Sequence, residues 1–363
     1  MTPSLSVPAT GHRAELAPLL AAAAAALGTP LTGERVIARY HLPYEVVLLD
    51  ADVAGERQRL ILADAPTGPL IARYPHDPAL PELAELLDRE GARLIAYRPT
   101  RRAVIALGST AYAKLAAPAR IARLIRAHDL LAAAGLPVAP LLERREGCVV
   151  MAKLAGTPLT TLLAAVGGSA TYRQVHTLLD RLPDAATGLP RRRAWCERIA
   201  THAELAARLV PDARIESIAD VVAAEVAAAA PGPLVPTHGD LYEANVLTDG
   251  RAITGLLDVD TLGPGYRIDD IACLLGHLAA VRRYRDEPAY RRSVDELFAA
   301  ASADHDAQRL ARRTAGILLT LVPGALRASR RERADQLDLA DHRITTAATF
   351  ARGGPAGDRH DRA

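Results

Sequence analysis

His238-Gly239-Asp240-Leu241-Tyr242-Glu243-Ala244-Asn245, with Asp258 thirteen residues beyond Asn245, is the stretch around which the rest of this chain reads. It fits the pattern H-x-D-L-x-x-x-N followed by a second acid. Val246-Leu247 runs into Thr248-Asp249-Gly250, a strong turn signal, and Ile253 to Leu257 returns as an apolar segment. A β-hairpin is expected there. It would set Asn245 and Asp258 side by side, as one shared metal ion requires. Asn245 is also the sole asparagine of the chain, and it falls where a neutral oxygen ligand is wanted. The plain alternative is that these are ordinary turn and strand-end residues.

This order of residues suits phosphoryl transfer, which needs little covalent help from a protein and rests on positioning and on neutralising phosphate charge. Asp240 would accept or orient the proton of an attacking hydroxyl. Asn245 and Asp258 would hold the Mg²⁺ that bridges the phosphates. Three blocks, His238 to Asn245, Gly255 to Asp260 and Asp269-Asp270-Ile271-Ala272, resemble the aminoglycoside phosphotransferase and choline kinase-like family. The resemblance implies an α+β, bilobal protein-kinase-like fold with a small β-rich N-lobe and a large, mainly helical C-lobe. It also implies ATP or GTP as donor, Mg²⁺, and a small-molecule hydroxyl acceptor such as an aminoglycoside, a sugar or an amino alcohol. Only eleven residues separate Asp258 from Asp270, too few for the segment with which a protein kinase docks a peptide.

The nucleotide side is read from residues 92 to 155. The chain has two lysines, Lys114 and Lys153, among many arginines. Lys114 lies in the apolar strand-like stretch Thr110 to Leu115 and is the candidate for gripping the α and β phosphates. The turn Pro99-Thr100-Arg101-Arg102 has no glycine-rich loop, and Arg101 or Arg102 either lies over the triphosphate instead or is an exposed turn arginine. The following helix, from Pro118, carries no glutamate to pair with Lys114. Met151-Ala152-Lys153-Leu154 resembles an interlobe hinge, with adenine on the backbone of Ala152 and Leu154 and Met151 lining the pocket.

At 363 residues the chain can bury two lobes. A net charge of +2 and 4% aromatics offer no basic, aromatic stripe for nucleic acid. Cys148, Cys196 and Cys273 are scattered and odd in number, as thiols in a reducing compartment are. The six alanines before Leu27, after His12 and Arg13, faintly resemble a signal-peptide core. They read better as a surface helix, and no stretch is long enough to span a bilayer. A cytoplasmic enzyme is expected. The expected organisation is an N-terminal helix with a small β-rich cap-like extension (1–90), an N-lobe and hinge (91–155), a helical C-lobe with the catalytic loop (156–351) and a disordered tail (352–363); residues 1–11 also read as disordered. The cap is similar in place to that of maltokinase-type sugar kinases, or is a stabilising extension with no ligand.

Within the C-lobe, helices are expected over Arg191 to Val210, Ile215 to Ala230, and from Asp269 to about Tyr284, with three more after residue 288. Arg191-Arg192-Arg193 reads as a solvated helix start. Asp270 is expected to cap its helix and brace the catalytic loop, and His238 to hold that loop by hydrogen bonds. The missing glutamate and missing glycine loop favour a second class of function, a nucleotide-binding regulatory protein without turnover. Hydrolysis at the same metal site has no motif of its own.

Overall fold

A computed structural model describes residues 12–40, 44–228, 230–326 and 333–355. The stretches expected to be disordered, 1–11 and most of 352–363, lie outside the described residues. The chain forms two compact units. One comprises the described residues up to Ile125 together with Pro140–Lys153, and the other comprises Arg126–Ala139 and the described residues from Leu154 onward.

The first unit begins with α1 (His12–Leu27), followed by β1 (Leu31–Tyr40), β2 (Val46–Val53), β3 (Glu56–Ala65) and β4 (Gly68–Arg73), an antiparallel sheet in sequence order. Leu16, Leu19 and Ala23 recur at helical spacing along α1 and bury against Val47, Leu49, Leu60 and Leu62 of the sheet. The alanine-rich segment is thus a surface helix, with Leu16, Leu19 and Ala23 in a core and Ala17, Ala21 and Ala25 exposed. The sheet's other face packs Ile37, Leu48 and Ile61 with Tyr74 and Tyr97. Strand β2 is buried on both sides, which is why Val46-Val47-Leu48-Leu49 shows no alternation.

After the short α2 (Leu83–Leu87), β5 (Ala92–Arg98), β6 (Arg102–Leu107) and β7 (Ala111–Ala116) run antiparallel. Helix α3 (Pro118–Ala133) then leads to β8 (Leu141–Arg144) and β9 (Cys148–Ala152), which close a sheet of order β5-β6-β7-β9-β8. Ala113, Leu115, Ile105, Cys148 and Val150 fill its core with Leu83 and Leu86 of α2.

The second unit is mainly helical. In order come β10 (Thr157–Pro158), α4 (Thr160–Val166), α5 (Gly168–Asp180), α6 (Ile199–Leu209) and α7 (Arg214–Ala227), then four short strands, β11 (Val235–Thr237), β12 (Val246–Thr248), β13 (Ile253–Leu256) and β14 (Gly263–Gly265). Helices α8 (Arg267–Ala279), α9 (Arg282–Asp286), α10 (Pro288–Ala301), α11 (Ala307–Ala325) and α12 (Arg333–Ala351) follow. Helix α11 lies at the centre, with Leu310, Ala315, Leu318, Leu319 and Val322 buried.

Two expected helices differ. The one from Arg191 starts only at Ile199, after a 3-10 turn over Cys196–Arg198. Glu197 is the cause: its carboxylate accepts from Ala194 N (2.7 Å) and pairs with Arg191 (2.6 Å), so the three arginines stay outside the helix. The helix expected to reach Tyr284 breaks at Val281, whose backbone is extended (φ −92°, ψ 149°). The carbonyls released at Ala279 and Val281 accept from His342 Nε2 of α12 at 3.0 and 3.1 Å.

Candidate active site

The catalytic-loop stretch leaves β11, which pairs with β14 in the register Thr237↔Gly263. Its turn is made at Gly239, whose φ is +80°. A Cβ there would stand 2.8 Å from the carbonyl oxygen of Thr261. Both the left-handed backbone and the wall of Thr261 demand glycine. A bulky side chain such as arginine would meet the same wall. Gly239→Ala is expected to cost at least about 1–2 kcal/mol for the backbone conformation alone, read as a lowered urea midpoint. An unchanged midpoint would show that the loop can re-form elsewhere.

Asp270 holds this turn from below. Its side chain, 1% exposed, accepts from His238 N and Gly239 N, both at 2.8 Å. Although Asp270 lies in the first turn of α8, that helix has no side-chain cap bond. The carboxylate caps the catalytic loop rather than its own helix, so half of the role expected for it is absent. His238 is fully buried. Its Nε2 lies 2.9 Å from Leu257 O and its Nδ1 3.3 Å from Asp240 N. A carbonyl only accepts and an amide only donates, so Nε2 is the donor to Leu257 O and Nδ1 the acceptor from Asp240 N. Thr261 Oγ1 donates to His238 O at 2.6 Å.

A closed circuit of bonds gathers the three candidate residues. Val246↔Leu256 and Leu247↔Gly255 pair in the expected hairpin, and Leu257 N donates to Asn245 O at 2.8 Å. Asn245, 3% exposed, donates through Nδ2 to Asp240 O at 3.0 Å, which leaves its amide oxygen as the acceptor atom. The His238 ring closes the circuit at Leu257, the residue before Asp258. Asp258 is exposed and left-handed (φ 51°, ψ 45°), the only one of the candidates held in that rarely populated region. Asp240 Oδ1 accepts from Trp195 Nε1 at 3.0 Å. Burial pushes the Asp240 carboxyl above its ordinary range, and the Trp195 N–H and the Arg192 charge pull against it.

Among the described residues no group of three or more His, Cys, Asp or Glu side chains could hold a metal by itself. One amide oxygen and one carboxylate are instead the sparse, all-oxygen contribution that suits Mg²⁺ when phosphates and water complete its shell.

The profile of the phosphotransferase enzyme family matches residues 53–311. The chain belongs to this family. No curated protein sequence matches it. Among solved structures, a choline/ethanolamine kinase family protein from Mesorhizobium loti is 18% identical with a TM-score of 0.50, over 76% of this chain and 92% of that one. The GDP complex of wild-type aminoglycoside 2'-phosphotransferase-IIIa is 14% identical, TM-score 0.47, over 73% and 96%. A Plasmodium vivax ethanolamine kinase is 11% identical, TM-score 0.44, over 77% and 87%. At 18% identity the likeness to the Mesorhizobium loti protein is one of fold, and that fold is protein-kinase-like. Among the described residues, no helix of the phosphotransferase is long and apolar enough to cross a membrane.

The remaining candidates lie in the sheet unit. Lys114 is half-buried on β7, opposite Val104 and Val149. The glycine-free turn before Arg102 is held by Asp77, 1% exposed, whose carboxylate accepts from Thr100 N (2.7 Å) and Tyr97 OH (2.8 Å). Arg101 sits in that turn and exposed Arg102 opens β6. Met151 and Ala152 end β9. Ala152 N donates to Pro140 O (2.9 Å) and Lys153 N to Thr110 O (2.7 Å). At Leu154 the chain passes into the second unit. Sequence reasoning missed Trp195, the phosphotransferase's single tryptophan, although its arginine-rich surroundings (Arg191 to Arg193, and Arg198) were a signal.

Proposed function

We propose that the protein transfers the terminal phosphoryl group of ATP or GTP to a hydroxyl of a small molecule by direct in-line transfer. The observation that carries this reading is the bond circuit Asp240–Asn245–Leu257–His238, which gathers a candidate base and two oxygen donors on one loop and one hairpin. In this reading Asp240 orients the acceptor hydroxyl and takes its proton. Asn245 and Asp258 hold Mg²⁺, which neutralises phosphate charge when bound. Lys114 grips the donor phosphates, with Arg101 or Arg102 over them. Met151, Ala152 and Leu154 receive the base. His238 and Asp270 touch no substrate; they hold the loop at its working shape. An aminoglycoside, a sugar and an amino alcohol are the acceptor classes in question.

Helix α3 carries no glutamate, and this favours as second reading a nucleotide-binding protein without turnover. Thermal stabilisation by ATP and by GTP, with and without Mg²⁺, tests the donor site without knowledge of the acceptor. A ligand that binds only the native state at a thousand times its Kd adds about 4 kcal/mol. The expected result is a metal-dependent shift that Asp258→Ala removes. A shift that is indifferent to Mg²⁺ in both proteins would take Asp258 out of its role, and binding with no turnover on any acceptor class would favour the second reading.

A further inference from the structure

Trp195 stands at the candidate base, and positive charge surrounds it. The guanidinium of Arg198 lies 4.4 Å from the indole ring centre and that of Arg192 lies 5.4 Å from it. Arg191, which lies over the Tyr266 ring at 5.7 Å, is paired with Glu197 (2.6 Å), and Arg193 donates to the Glu197 carbonyl (2.7 Å). Arg191, Arg192, Trp195, Gly239 and Tyr266 line one cleft. Asp269 and Asp270 also line this cleft, but Asp269 is paired with Arg313 (2.6 Å) and Asp270 is taken up by the N–H groups of His238 and Gly239, while Asp240 is bonded to Trp195 rather than to an arginine.

Arg198 is the informative member. Its Nε and Nη2 are enclosed and have no hydrogen-bond partner among the described residues. Burial, and then the charges of Arg192 and Arg193, hold its pKa below the ordinary arginine value, as expected where positive charge exceeds negative. Enclosed N–H donors without acceptors are unfavourable. A planar guanidinium fork is the side chain best matched to a carboxylate or phosphate oxygen pair.

We propose that the acceptor carries a negatively charged group, a carboxylate or a phosphate, held by Arg192 and Arg198 beside Trp195 while its hydroxyl lies at Asp240. This rests on the phosphotransfer reading above and narrows it. A polycationic or ammonium acceptor would have to approach two arginines that already lie over the indole ring, and like charges there repel it. A sugar acid or a sugar phosphate supplies both the hydroxyl and an oxygen pair to offset the charge of the two guanidinium groups.

The single tryptophan makes the site directly readable. Wild-type protein is titrated with inorganic phosphate and with citrate at constant ionic strength, following Trp195 emission, and separately with choline and kanamycin. Expected is a saturable change with an anion and none with the cations. Arg198→Gln and Arg192→Gln should each weaken anion binding at least tenfold; the exposed Arg192 supplies the comparison if Arg198→Gln does not fold. Phosphate against citrate separates a phosphate site from a carboxylate site. The same titration is repeated with Mg-nucleotide present. Competition would mean the arginines hold donor phosphates and would overturn the proposal. So would a response to the cations, a flat titration, or variants that bind like wild type. Nucleotide stabilisation, measured alongside, keeps the two questions apart: a normal Mg-nucleotide shift with a flat anion titration removes this proposal alone, whereas a missing nucleotide shift removes the transfer reading and the acceptor assignment with it.

Discussion

Asp240→Asn lowers kcat by about 10²–10⁴-fold, the usual contribution of a positioned general base, while thermal stabilisation by Mg-nucleotide stays at its wild-type value. The substitution keeps the shape of the side chain and leaves an oxygen to accept from Trp195 Nε1, so the 3.0 Å bond and the loop survive. What is lost is the negative charge that takes the hydroxyl proton. The contrast with Asp258→Ala is the diagnostic part. In the proposed reading Asp240 acts on the acceptor and Asp258 on the donor's metal, so one variant should lose turnover and the other nucleotide affinity. Wild-type kcat in Asp240→Asn would remove the residue from its role.

The pH profile follows from the same burial. A carboxyl held above its ordinary value must still be ionised to accept a proton. Activity is therefore expected to fall as pH drops through that raised pKa, with the acid limb of kcat/KM above the ordinary aspartate range. The Trp195 N–H stabilises the anion and pulls the pKa down, so Trp195→Phe moves the acid limb to higher pH. A merely structural tryptophan would lower stability without moving that limb.

The loop and hairpin were legible before any coordinates because each residue there has a local reason. Thr248-Asp249-Gly250 makes a turn wherever it occurs, and Thr248 Oγ1 and Asp249 Oδ1 do fasten it, through Gly250 N (2.9 Å) and Arg251 N (2.8 Å). Strand β7 was legible for the same reason, from the apolar stretch Thr110 to Leu115. What was not legible depends on partners remote in sequence. The break at Val281 needs His342, sixty-one residues away. Burial of one face of α1 needs the sheet of β1 to β4, whose packing against the helix no residue of the alanine-rich segment announces. Trp195 comes to Asp240 across forty-five residues, and its segment carries no repeat, turn or spacing that announces the meeting. Glu197 illustrates how a single carboxylate can end a helix early, because it satisfies Ala194 N and Arg191 better than a further helical turn would.

Asp270→Ala leaves two N–H groups without acceptors, the buried one of His238 and the half-buried one of Gly239. At about 1–3 kcal/mol for an orphaned buried group, and less for one that water can reach, the loss of stability should be at least about 1–3 kcal/mol, read from the urea midpoint at constant m. Asp270→Asn separates the charge from the geometry. An amide offers one oxygen and one NH₂, so only one of the two N–H groups keeps an acceptor and the other faces a donor. It should therefore fall between wild type and alanine. Both variants should also lose activity beyond what unfolding explains, measured well below their melting temperatures. The His238 ring bonds Leu257 O and receives Asp240 N, so a displaced His238 moves the base and the hairpin end together. Shifts of about 1 Å in such an arrangement cost roughly 100-fold in rate. Asp270→Ala with a midpoint equivalent to within about 0.5 kcal/mol of wild type, the range of an ordinary surface substitution, would mean that water replaces the carboxylate and that the loop holds its own shape.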